Sequence, residues 1–178
     1  MDSIISTLIL PSFMILRKDA DALLNGIAES DFGHKPRYEG GILDMNHPAF
    51  IFGHLSIYPG IVLDLFGAEF QETVAMVKPP DSFLTLFSKG ALCIDDPEMK
   101  IYPQPKLIID SFQRGYDTLA RVVADVPQAI LAEKTPGERV ARFPTKGSFL
   151  AHLMTGHLGI HLGQLSAWRR AMRLPPAA

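Results

Sequence analysis

The chain has 178 residues, of which 47% are hydrophobic and 20% charged, and its formal net charge is -2. This is the profile of one globular domain, expected over residues 1–178, with enough apolar residues for a core of its own. The near-neutral charge excludes the basic footprint that nucleic-acid binding leaves, and no stretch reads as the ~20 clean apolar residues of a membrane span.

The N-terminal run from Ile4 to Leu16 is apolar, but Asp2 stands where a signal peptide carries positive charge. Pro11 interrupts the run, and no small-residue cleavage site follows. The single cysteine, Cys93, excludes an internal disulfide and suits a reducing compartment. The expectation is therefore a cytoplasmic protein in which Cys93 is a small buried residue.

Four segments have helical periodicity. The first reaches about Glu29, with Leu16, Leu23, Leu24 and Ile27 on one face and Pro11 opening or kinking it. A loop from Ser30 to Asp44 follows, broken by Gly33, Pro36, Gly40 and Gly41. Asn46 is then the expected N-cap of a second helix with Pro48 just inside. The stripe of that helix is Phe50, Ile51, His54, Ile57, Tyr58, Ile61 and Leu65, and Pro59 predicts a kink beyond His54.

A long, weakly patterned connection rich in proline runs from Gly67 to Pro105, with one short helix expected around Phe83 to Phe87. Such a connection is either a lid over a site or a structural crossover. The third helix spans about Pro105 to Val126, with Ile108, Phe112, Tyr116, Leu119, Val123 and Val126 as its stripe, and a short extended piece is considered at Val140 to Phe143. The fourth runs from about Lys146 to Arg173, striped by Leu150, Met154, His157, His161, Leu165, Trp168 and Met172. Arg169, Arg170 and Arg173 complement the dipole at its end. Four helices without a convincing sheet predict an all-α four-helix bundle with a long irregular connection between helices 2 and 3.

Of the six histidines, His157 and His161 are one turn apart and ~40° around the helix, so their side chains are neighbours. They share a face with Leu150, Met154, Leu165 and Trp168, which points both into the core. Buried imidazoles are costly unless their nitrogens have partners, and a cation satisfies both rings at once. His54 sits equally on the apolar stripe of the second helix, and a bundle can bring the two faces together. A single histidine on an apolar face is more often a hydrogen-bonded core residue. The pair together with a third favours a divalent ion held by His54, His157 and His161, with one position left open as in catalytic sites.

His152, ~140° from His157 on an α-helix, is expected to face away. His47 lies two turns before His54, too far to share the ion but able to line the pocket, as is Tyr58. His34 reads as solvated surface. Neither a His-Glu-x-x-His pair, a Glu-x-x-His di-iron pattern nor a Gly-x-Ser-x-Gly elbow occurs.

The strings FGHL ending at Leu55 and HLMTGHLGIHLGQL over His152 to Leu165 resemble the second-helix and last-helix motifs of the DinB-like family, the bundles that include YfiT-type proteins. The resemblance follows helix order over nearly the whole chain. It implies a three-histidine site made by His54, His157 and His161, a nickel, zinc or other divalent ion, and a homodimer. It also gives Gln164 a structural or supporting role beside the ligands. Relatives of that kind include thiol-dependent transferases, isomerases and proposed metal-dependent hydrolases. The expected function is a metal-dependent hydrolase or low-molecular-weight-thiol transferase acting on a small molecule. The alternatives are a non-catalytic metal- or ligand-binding stress protein and a bundle whose histidines are core residues serving dimerisation.

Overall fold

The computed structural model describes residues 5–177, so Asp2 and Ile4, used in reading the N-terminal run, lie outside the described residues. A π turn at Ile5–Ile9 leads into α1 (Leu10–Leu24), whose first turn contains Pro11, where its missing N–H costs nothing. The helix ends five residues before Glu29. Its chain turns extended at Asn25 and then adopts φ +75° at Gly26. The buried guanidinium of Arg169 donates to the carbonyls of Leu23 (2.7 Å) and Asn25 (2.8 Å), satisfying acceptors that a helix end leaves open.

In the expected Ser30 to Asp44 loop, a 3-10 turn at Glu29–Asp31 is followed by a two-residue hairpin of β1 (Arg37–Tyr38) and β2 (Gly41–Ile42). The strands are antiparallel, with Arg37 opposite Ile42, and Gly41 supplies the positive φ of the turn.

Next comes α2 (Pro48–Phe66), which packs against the other helices as the central rod. Its cap is His47, not Asn46: the His47 ring accepts from the Phe50 N–H at 3.3 Å, and the Asn46 side chain is engaged elsewhere. The helix runs on past Pro59, whose missing N–H leaves the Leu55 carbonyl without its helical donor. The proline ring packs on Gly115 of the facing helix, where an added Cβ would lie 3.0 Å from Pro59 Cγ. Contrary to the sequence reading, α2 is long and apolar enough to cross a membrane by length and composition, with mean hydropathy 1.6. However, 72% of its most apolar 18-residue stretch is buried inside the protein, so most of the apolar side chains that satisfy this test are core residues.

The connection after α2 is largely ordered and packed down. A 3-10 turn at Ala68–Phe70 and the unforeseen α3 (Gln71–Val77) precede α4 (Ser82–Phe87), the short helix that was expected. Phe83, Phe87 and Tyr102 are buried, and Phe87 stacks on Tyr102 with centroids 5.5 Å apart. The Asp96 carboxylate accepts backbone N–H groups of Lys100, Ile101 and Tyr102 at 2.8–3.0 Å, fixing the turn that delivers Tyr102 to the core. A segment rooted by buried aromatics is part of the core rather than a lid.

The third long helix, α5 (Pro105–Val123), buries Ile108, Phe112, Tyr116, Leu119 and Val123 completely against α2. After it come a short α6 (Gln128–Ala132) and a 3-10 turn at Gly137–Ala141, so Val140 to Phe143 is not extended. A capping box between Thr145 and Ser148 starts α7 (Lys146–His152). The last rod is not one α-helix: α7 passes through a π turn at Leu153–His157 before α8 (Leu158–Ala171). The fold is thus all-α apart from the small hairpin and an isolated bridge between Lys134 and Thr145.

Gly53 of α2 is where α4 comes closest, since an added Cβ would lie 2.5 Å from the Phe87 ring. A methyl group there meets three ring atoms, which places Gly53→Ala high in the ~1–3 kcal/mol range for overpacking, above the ~1 kcal/mol that alanine gains in helix propensity. Urea unfolding of Gly53→Ala is expected to show a net loss of stability; an unchanged or higher midpoint would contradict the packing described.

Candidate metal centre

One histidine from α2 and two from the last rod converge. One ring nitrogen from each of His54, His157 and His161 lies within 4.8 Å of the others, close enough for the three to hold a single metal ion. Ring centroids are 4.9 Å apart for His54 and His161, 5.3 Å for His54 and His157, and 4.7 Å for His157 and His161. The last distance follows from the one-turn spacing between His157, at the cap of α8, and His161 within it, while the other two depend on α2 crossing that helix.

Each ring is oriented by a different part of the chain. The Phe87 carbonyl at the end of α4 accepts from His54 Nδ1 at 2.6 Å, which leaves the ring's lone pair on Nε2, where a bound ion would displace the hydroxyl of Tyr58 that donates to it. Gln164 Oε1 accepts from His161 Nδ1 at 3.1 Å and also from Asn46 Nδ2 at 3.1 Å, so His161 Nε2 is likewise the lone-pair nitrogen. Such outer contacts set the tautomer of ligating histidines. His157 Nδ1 is buried and has no hydrogen-bond partner. Three neutral rings with one nitrogen each within 4.8 Å of the others, two of them oriented by outer contacts and the third with a buried nitrogen that has no protein partner, fit a divalent cation.

The electrostatics favour the ligating form. Burial, reinforced by the neighbouring His161 and His54, pulls His157 down to about 3, and burial with His54 pulls His161 down to about 4 despite its bond to Gln164. Burial also lowers His54, against the opposing pull of the Phe87 carbonyl. All three are neutral at pH 7 and present lone pairs instead of protons.

Tyr58 lines the site, as its stripe position suggested. Its hydroxyl donates to His54 Nε2 at 3.2 Å, its ring meets His157 edge-on at 4.5 Å, and burial raises its pKa, so it stays protonated. His47 does not line the pocket. Its Nδ1 caps α2 and its Nε2–H donates to the Ile94 carbonyl at 2.9 Å, so both nitrogens are used and no lone pair remains. His34 accepts from Arg37 at 3.1 Å in an exposed contact. Cys93 is half-buried with its thiol pushed up to about 11 by burial, so it is not a thiolate nucleophile.

His152 overturns its expected position. In a π turn the hydrogen bonds run from i to i+5, so residues five apart come onto one side. The His152 and His157 rings therefore lie 5.8 Å apart, and both line a cavity of about 490 Å³ beside the cluster. Gly156 makes room for this, because an added Cβ would stand 3.3 Å from His152 Nδ1. Other residues of this cavity that spacing did not reveal are Lys89, Glu138, Arg139, Arg142, Phe143 and Phe149. Comparison with known protein families, curated proteins and solved structures returns no match to this chain.

Two predictions follow from this geometry. The unfolded chain protonates these histidines near pH ~6.5, whereas the fold does so only near 3 and 4 for His157 and His161. Between those values the unfolded state binds more protons, so stability is complete above pH ~6.5 and falls on acidification. The metal-free protein is expected to melt at lower temperature at each step from pH 7 to pH 4, with a shallower slope in His157→Gln; a flat profile in the parent would contradict this. Separately, Gln164→Leu removes the acceptor that orients His161 and is expected to weaken metal binding ~10–100-fold in chelator competition, with the stoichiometry kept. Unchanged affinity would make Gln164 irrelevant to the centre.

Proposed function

We propose that this chain is a metal-dependent enzyme of the DinB-like type, acting on a small molecule as a hydrolase or a low-molecular-weight-thiol transferase. The observation that carries the reading is the cluster of three neutral histidines with an orphaned buried nitrogen, set beside a cavity of about 490 Å³. The all-α fold and the order of the long helices α1, α2, α5 and α7–α8 support the four-helix bundle that the FGHL and HLMTGHLGIHLGQL strings imply. His54, His157 and His161 would hold the ion, with nickel or zinc preferred for an all-imidazole donor set. Bound there, a divalent ion supplies Lewis-acid chemistry, polarising a substrate oxygen or acidifying a water or thiol that it ligates.

The chain's own residues supply position and proton control. His54 and His157 line the cavity, whereas His161 is anchored by Gln164. Tyr58 keeps its proton and donates to His54 Nε2, so an ion on that nitrogen would release its hydroxyl to the cavity that it lines. A thiol would enter as a co-substrate, since Cys93 is near Met45 and does not line the cavity. A homodimer is part of the proposal. It is supported by exposed apolar side chains at Met14 and Ile15 of α1 and Ile160 of α8, which pack together as neighbouring helices. So is a reducing, cytoplasmic setting, supported by the single free thiol.

The deciding experiment is elemental analysis of the untagged protein, purified without chelator, beside His157→Ala. About one divalent ion per chain in the parent, lost in a variant that still shows a helical circular dichroism spectrum, is the expected result. Absence of metal in the parent even after nickel and zinc are supplied would sink the proposal.

A further inference from the structure

Deepening that reading, and resting on it for the chemistry next door, we infer that the cavity beside the histidines is an anion subsite selecting small carboxylate-bearing molecules with an aromatic or apolar body. Arg139 and Arg142 form its core. They are three residues apart across a 3-10 turn closed by the Arg142 N–H donating to the Arg139 carbonyl at 3.1 Å, and at that spacing side chains eclipse on one side. Each guanidinium is also laid against an aromatic wall, Arg139 5.9 Å from the Phe149 ring centroid and Arg142 5.2 Å from that of Phe143.

Neither arginine forms an ion pair among the described residues, nor does Lys89, the third cation of the cavity. The one carboxylate lining it, Glu138, likewise has no ion-pair partner. The cavity therefore carries an excess of positive charge that the protein does not neutralise. That field reaches the reacting side: Arg142 contributes to lowering both His152 and His157, and Arg139 acts on Tyr58. The histidines and the tyrosine on that side are neutral and offer the two cations no counter-charge.

A guanidinium offers a planar fork that matches a carboxylate in two parallel hydrogen bonds. Phosphate sites usually add the free N–H groups of a helix N-terminus, but here the Thr145 hydroxyl already accepts the Ser148 N–H at the start of α7. The Phe143 and Phe149 rings give the non-charged part of a ligand an apolar surface, and the volume is that of a small-molecule site.

Isothermal titration of benzoate, benzamide and inorganic phosphate into the full-length protein tests this, using parent and Arg139→Gln/Arg142→Gln chains in both metal-loaded and chelator-stripped form. Benzoate is expected to bind the parent and to lose at least tenfold in affinity in the double variant, in both metal states and with metal content unchanged. Benzamide, of the same shape but neutral, should show no such dependence. Equal benzoate affinity in parent and variant overturns the subsite, and phosphate binding tighter than benzoate overturns the choice of carboxylate. Arginine-dependent benzoate binding by a parent that takes up no metal would keep the subsite and discard the metal reading; full metal uptake without arginine dependence would do the reverse.

Discussion

Gathering three imidazoles within a helical core is the constraint on which most of this structure turns. Each ring is polar, each loses water, and none has a carboxylate beside it to offset a charge, so all three are held neutral. Neutral imidazoles still need partners at the nitrogens that do not face one another. Those partners come from separated parts of the chain: the Phe87 carbonyl for His54, and Gln164 steadied by Asn46 for His161. The demand for a carbonyl at His54 explains why the proline-rich stretch after α2 is rooted in the core. The α4 end must lie against α2, and Gly53, next to His54, is the position without a side chain that lets it do so.

The all-α class and the pairing of His54 with His157 and His161 were legible because both are written in period. Apolar stripes at three and four gave the long rods, and two histidines at i and i+4 on such a stripe remain neighbours in any α-helix. What the period could not give was whatever depends on leaving it. His152 reads as outward on an ideal helix, and the π turn at Leu153–His157 brings it into the cavity. His47 reads as a pocket residue on the same argument, yet it stands at the helix boundary, where the orphan N–H of Phe50 competes for its ring. Asn46, expected in the capping role, is drawn away by Gln164 more than a hundred residues later, a long-range contact that local pattern does not encode.

The connection from Gly67 to Pro105 was undecided in the sequence for a different reason. Its helices are short, and its order comes from single anchors: Asp96 gathering three N–H groups, and Phe83, Phe87 and Tyr102 filling the space beside α2. Prolines and weak periodicity left a lid and a structural crossover equally open. Buried aromatics at irregular spacing carry no signature until their partners in α2, such as Phe50, are known. Arg139 and Arg142 were invisible for the same reason, since two arginines in a loop are ordinary solvated charge unless the turn that carries them is known to be 3-10.

Two of these departures, the π turn and the 3-10 turn that carries the arginines, fall on one side of the histidines. His161 belongs to the closed side, where Gln164 and Asn46 tie α8 to the entry of α2. His54 and His157 belong to the open side, with the π turn, Gly156, the 3-10 turn and its arginines around the cavity. A fully regular last rod would turn His152 away from this side of the histidines. The π turn admits an extra residue at the one place where two of the rings border the cavity, and it costs the last rod its regular hydrogen bonding there. Regular helix thus holds the ring cluster together, and irregular helix gives it an approach.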